Sequence, residues 1–60
     1  MTINELALYC NKKIMEYPSL ENDIKTYYLL ALNQVHKNET ETKHCDLAHK
    51  FIEGLIQDLL

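Results

Sequence analysis

Apolar residues recur every three or four positions along almost the whole chain. In the first third they form one stripe, with Leu6 beside it. This period matches one face of an α-helix and predicts a helix over residues 3–17. Thr2 and Glu5 have the spacing of a capping box, and Pro18 disfavours helical geometry in the residue before it. The core stripe of this helix comprises Ile3, Ala7, Cys10, Ile14 and Tyr17.

A second helix is predicted over residues 20–37. Ser19 suits its N-cap, because a serine hydroxyl accepts a bond from an otherwise unpaired amide, and Glu21 and Asp23 suit the positive end of the helix dipole. At 100° per residue, Leu29 points about 140° away from the apolar face. A three-helix monomer would therefore leave Leu29 largely in water. The apolar face comprises Leu20, Ile24, Tyr27, Tyr28, Ala31 and Val35, with Leu32 at its edge.

A third helix is predicted over residues 40–60. The polar segment 38–43 is either a loop or the exposed first turns of this helix. Asn38 followed by Glu41 has the pattern of an N-cap with its capping-box partner, which favours the early start. Gly54 falls opposite the apolar stripe, where it lowers helicity without preventing a helix. The stripe comprises Cys45, Ala48, Ile52, Leu55 and Leu59, flanked by Phe51 and Ile56.

Together these patterns predict an all-α fold, a compact three-helix bundle that forms a single domain over residues 1–60. A chain of this length buries only about 60% of its unfolded surface. Its core alone rarely supplies more than about 3 to 5 kcal/mol, so small domains are usually reinforced by disulfides, a metal, very regular packing or oligomerisation. We therefore expect the bundle to dimerise.

Composition and charge narrow the function classes. The chain has a formal net charge of -3 and no arginine, whereas nucleic-acid-binding domains usually carry a basic face. No apolar run approaches the roughly 20 residues that span a bilayer. The amino terminus also lacks the basic and apolar regions of a signal peptide. We expect a cytoplasmic protein with reduced cysteines, whose partners are neither nucleic acid nor membrane.

Catalytic and metal-binding patterns are weak. Cys45 lies one helical turn before His49, a spacing at which a thiol and an imidazole can pair. However, Cys45 occupies an apolar stripe, and a bundle this small has little room for a substrate pocket. Cys10, Cys45 and a histidine supply zinc-binding groups, yet the short ligand spacings of zinc sites are missing. We expect no catalytic site, no metal ion and no cofactor.

Several large apolar residues remain after the three core stripes are assigned. Leu8 and Met15 share one side of the first helix, because they are seven residues apart. Large apolar residues on aligned faces favour a second buried surface over scattered exposure. In the alternative, the core is wider than the helical wheel indicates and some of these residues are buried in it. The candidate interaction residues are Leu8, Met15, Leu29, Leu30, Leu47 and Leu60.

The sequence thus favours a small cytoplasmic protein-interaction module, such as a regulator, inhibitor or adaptor. We expect its partner to be itself, as a homodimer, or another protein, and we expect Leu29→Lys to disrupt the association. Two alternatives stay open. One is a small dimeric DNA-associated regulator, because three short helices also build helix-turn-helix proteins. The other is a metal-stabilised helical module.

Overall fold

The computed structural model of the chain describes residues 1–37 and 41–60. Its three α-helices are α1 (Ile3–Glu16), α2 (Glu21–His36) and α3 (Glu41–Leu59), and a 3₁₀ turn at Pro18–Leu20 joins α1 to α2. No strand occurs in the described ranges. The predicted all-α three-helix fold is confirmed. The predicted cap at Asn38 and the predicted helical residue Thr40 lie outside the described residues.

The start of α1 is the predicted capping box. The Glu5 amide donates to the Thr2 hydroxyl oxygen at 3.2 Å, and the Thr2 amide donates to the Glu5 carboxylate at 2.9 Å. These bonds to Thr2 hold the pKa of Glu5 below its usual value. The terminal amine of Met1 pairs with Asp46 at 2.6 Å, which joins the beginning of α1 to the first half of α3.

The junction between α1 and α2 differs from its prediction. Pro18 does end α1, and Tyr17 is its C-cap. The predicted N-cap at Ser19 is wrong, because Ser19 lies inside the 3₁₀ turn and Leu20 is the N-cap of α2, with no side-chain cap bond. The Leu20 amide donates to the Tyr17 carbonyl at 2.9 Å, and its side chain is buried. Burial of a leucine therefore replaces a hydroxyl cap at this position.

The core lies along the inner stripes of all three helices, close to the predicted positions. In α1 its centre is Leu6 and Cys10, so Leu6 is central and not peripheral, while Ile3 and Ile14 are only half-buried. The prediction that Leu59 belongs to the core is wrong, because Leu59 is exposed. The buried residues are Leu6, Cys10, Leu20, Ile24, Ala31, Cys45, Ala48, Ile52 and Ile56.

Helices α2 and α3 run antiparallel, with a register that is visible in their contacts. Tyr27 stacks on Phe51, and Gln34 lines the same groove as His44. In this register Leu59 lies beyond the first residue of α2, which explains its exposure. The molecule is elongated, with extents of 34 × 16 × 16 Å. Each long side of the molecule is therefore formed by two neighbouring helices.

Both cysteines lie in the core as thiols. Cys10 and Cys45 are buried, and no disulfide joins them. Burial, with a smaller effect from neighbouring Cys45, raises the pKa of the Cys10 thiol to about 11. Cys10 is thus a protonated, apolar packing residue at neutral pH, as the core stripe of α1 predicts.

Candidate protein-interaction surface

All six apolar residues that the sequence separates from the core stripes are exposed. The structure adds two more, Phe51 and Leu59, which the helical wheel assigns to the edge and the stripe of α3. The set does not form one patch. Leu30 and Leu47 come together with Phe51, whereas the remaining residues lie elsewhere on the surface. Whether any of them contacts a partner stays a prediction.

An apolar groove between α2 and α3 brings Leu30, Leu47 and Phe51 together. It has a volume of about 170 Å³. Leu30, Leu47 and Phe51 are large apolar residues on it, and they are 54%, 43% and 53% exposed. Its lining comprises Tyr27, Leu30, Ala31, Gln34, His44, Leu47, Ala48 and Phe51.

The shape of this groove follows from the antiparallel register of its two helices. The stacked rings of Tyr27 and Phe51 lie toward one end, and Gln34 and His44 lie toward the other. Seven residues separate Tyr27 from Gln34, which corresponds to about 10 Å along α2. Ala31 and Ala48 are buried between them and keep the floor low. Large apolar walls over a floor of small residues form a recess that accepts side chains from another helix.

The other exposed apolar residues lie apart from the groove. Leu8 and Met15 lie on the outer side of α1 and are 72% and 83% exposed. Leu29 is exposed on α2, about 100° around the helix axis from Leu30 on the side away from the other groove-lining residues, so it lies outside the groove. Its predicted exposure is confirmed. Leu60 is exposed at the end of the chain and lines a separate shallow cavity between α1 and α3.

A cavity of about 250 Å³ opens between α1 and α2. It is smaller than the sites of about 300 to 1,000 Å³ that hold drug-sized molecules. Among the described residues that line it, Asn11, Lys25 and Tyr28 have polar side-chain ends, and Cys10 contributes a protonated thiol. Its described lining contains no carboxylate.

The aromatic and charged residues between α1 and α3 form a second cluster. The rings of Tyr9 and His49 have centroids 4.3 Å apart, and His49 Nδ1 lies 3.0 Å from Glu53 Oε1. The Tyr9 hydroxyl is buried and has no hydrogen-bond partner in the described part of the chain. Desolvation, followed by the charge of Glu53, raises the pKa of Tyr9 to about 12. A tyrosine that stays protonated in this way is not suited to act as a base at neutral pH.

Metal-binding residues do not converge in the described structure. Within residues 1–37 and 41–60, no group of three or more histidine, cysteine, aspartate or glutamate side chains is arranged to hold a metal ion. His49, which the sequence places near Cys45, directs its Nδ1 to Glu53. The described helices also include none with the length and apolar character required to cross a membrane.

Comparison with known proteins does not assign the chain to a family. No protein-family model, no curated protein and no solved structure matches it. The case for a function therefore depends on the surface itself.

Proposed function

We propose that the chain is a protein-interaction module of the regulator, inhibitor or adaptor type, and that it receives an amphipathic helix of a protein partner in the groove between α2 and α3. The observation that carries this proposal is the joint exposure of Leu30, Leu47 and Phe51 on two neighbouring helices. Exposed apolar groups that line one recess gain more from a partner than apolar groups scattered singly over a surface.

The composition of the groove supports a helix as the occupant. Helix-in-groove recognition uses apolar anchors at spacings of three, four and seven residues, which enter a recess between two helices. The wall residues here are all apolar or aromatic toward the centre, while Gln34 and His44 provide polar groups at one end. This arrangement of an apolar centre with a polar rim is typical of protein interfaces.

The chemistry of the rest of the molecule favours binding over catalysis and over DNA recognition. The cavity between α1 and α2 has no carboxylate among the described residues that line it, and the net charge of -3 without arginine opposes contact with phosphates. The buried thiols of Cys10 and Cys45 support a reducing compartment, for which we propose the cytoplasm.

The proposal is tested by capture from a lysate of cells that produce the chain, with three immobilised forms compared by mass spectrometry. These are the wild type, Leu30→Lys in the groove, and Leu8→Lys on the outer side of α1 as the matched control. Both substitutions place the same charge at an exposed leucine, so each costs a folded monomer within about 0.5 kcal/mol. Circular dichroism checks that all three are folded.

We expect at least one identified protein to bind the wild type and the Leu8→Lys control but not Leu30→Lys. An untagged copy of the chain itself counts as such a protein. A lysine in the groove would be buried without a partner and would oppose docking. The same set of proteins on all three forms, or no specific protein on any of them, would overturn the proposal.

A further inference from the structure

The charged residues at the two ends of the groove have an order that identifies the occupant. On α2, Asp23 and Lys37 are each seven residues from Leu30, which corresponds to about 10 Å on either side of it. Seven residues are close to two helical turns, so all three side chains lie on nearly the same side of the helix. The stripe on α2 therefore reads acidic, apolar, basic from its beginning to its end.

Helix α3 runs in the opposite direction, and an acidic and a basic residue on it lie at the same two ends of the groove as those of α2. Because Tyr27 stacks on Phe51 and Gln34 lines the same groove as His44, the end of α3 is beside the beginning of α2. Asp58 is therefore at the same end of the groove as Asp23, and Lys43 is at the same end as Lys37. All four side chains are exposed, and none forms an ion pair with another described residue.

We propose that the partner docked on the groove is a second copy of this chain, whose identical α2–α3 face covers it, and that the two copies pack face to face with their helices antiparallel. This inference rests on the function proposed above. The two-fold axis lies in the plane of the interface, perpendicular to the helices, and passes through the position of Leu30. As a result, α2 lies on α2 of the second copy and α3 lies on α3. Leu30 then meets its own symmetry mate, and Phe51 lies beside Leu47 of the second copy.

Charge complementarity selects this arrangement. The antiparallel axis places Asp23 opposite Lys37 of the second copy, twice in each dimer, and brings the Asp58 end to the Lys43 end. A two-fold axis parallel to the helices would instead place acidic end on acidic end and basic end on basic end. Like charges opposite each other suppress association, and opposite charges fix orientation and register.

The dimensions of the chain also suit a second copy. An interface of standard size buries about 800 Å² on each partner. That is roughly one fifth of the chain's 4242 Å² of accessible surface and corresponds to one long side of a molecule measuring 34 × 16 × 16 Å. The α2–α3 face is such a side, and it has its apolar residues at the centre and its charges at the ends.

The test is a charge exchange followed by sedimentation at low salt, where exposed charges are least screened. The variants are Asp23→Lys, Lys37→Asp and the two combined, with Lys12→Asp on α1 as a control that changes net charge as Lys37→Asp does. Each single exchange places like charges together twice, and we expect it to weaken dimerisation by about tenfold or more. The combined exchange should restore it, because the charges again alternate.

Helix stability does not explain that result. Both single exchanges oppose the dipole of α2, so a loss caused by helix fraying would be larger in the combined variant, not reversed. Circular dichroism monitors helicity in each case. An independent readout is Leu30→Cys, which should form a disulfide between two copies under mild oxidation, because the antiparallel axis brings the two positions together.

The outcomes separate this inference from the proposed function. A wild type that stays monomeric while a different protein binds in a manner sensitive to Leu30→Lys would overturn the second copy as occupant and leave the groove as a docking site. A dimer that the single exchanges do not weaken, or that the combined exchange does not restore, would overturn the antiparallel arrangement. A dimer disrupted by Leu8→Lys and not by Leu30→Lys would overturn both.

Discussion

The rings of Tyr27 and Phe51 stack across the α2–α3 interface, with centroids 5.5 Å apart and planes inclined by 18°. This contact sets the register of the two helices and forms one end of the groove. Phe51 is nonetheless half exposed, so it belongs to the packing of the bundle and to the surface at the same time.

We therefore expect Phe51→Ala to reduce both stability and docking. Loss of an aromatic pair costs about 0.5 to 1.5 kcal/mol beyond the lost apolar burial. Urea denaturation should show this decrease in the free energy of unfolding, and sedimentation should show weaker association. Tyr27→Phe is the control, because it keeps the stacked ring. Equal effects of the two substitutions would mean that the ring contact does not stabilise the interface.

Removal of the capping box should destabilise α1 without affecting the groove. In Thr2→Ala the Glu5 amide loses its acceptor, and caps of this kind contribute about 1 kcal/mol. Thermal denaturation followed by circular dichroism should show a lower Tm for Thr2→Ala and a value close to the wild type for Thr2→Ser. An unchanged Tm in Thr2→Ala would show that the bond seen at 3.2 Å does not contribute to stability.

The Cys10 thiol makes the free energy of unfolding depend on pH in the alkaline range. Its pKa is raised from 9.0 to about 11, so the folded state holds this proton more tightly than the unfolded chain does. The resulting stabilisation is complete below pH 9 and is lost as the pH rises from 9 toward 11. Urea denaturation across this range should show a falling free energy of unfolding.

Cys10→Ala is the control for that measurement. It lowers stability at every pH, because it removes buried sulfur, but it should make the decline between pH 9 and 11 less steep. The raised pKa of Tyr9 contributes a further decline at higher pH, which Cys10→Ala does not affect. An identical slope in wild type and variant would contradict the assignment to Cys10.

Helix number and most of the core could be predicted from the sequence, because they depend on local signals. The capping box at Thr2 and the proline at position 18 act within one turn, and the core stripes follow from helical periodicity alone. The cap at Ser19 failed, since the burial of Leu20 against the other helices outweighs a local hydroxyl bond. Tertiary packing decides that position.

The groove could be predicted only in part for the same reason. A helical wheel identifies Leu30 and Leu47 as residues outside their own core stripes, but it does not show which helices are neighbours. The inclusion of Phe51 and the separation of Leu8 from this surface depend on the antiparallel register of α2 and α3. The one available signal was the position of Phe51, which lies on the same side of α3 as Leu47.

Sedimentation equilibrium of the wild-type chain at micromolar concentration is the most direct test that the groove receives a second copy. We expect a dimer for the wild type and for Leu8→Lys, and a monomer for Leu30→Lys. A wild type that sediments as a monomer throughout this range, or a dimer that Leu30→Lys leaves intact, would contradict it.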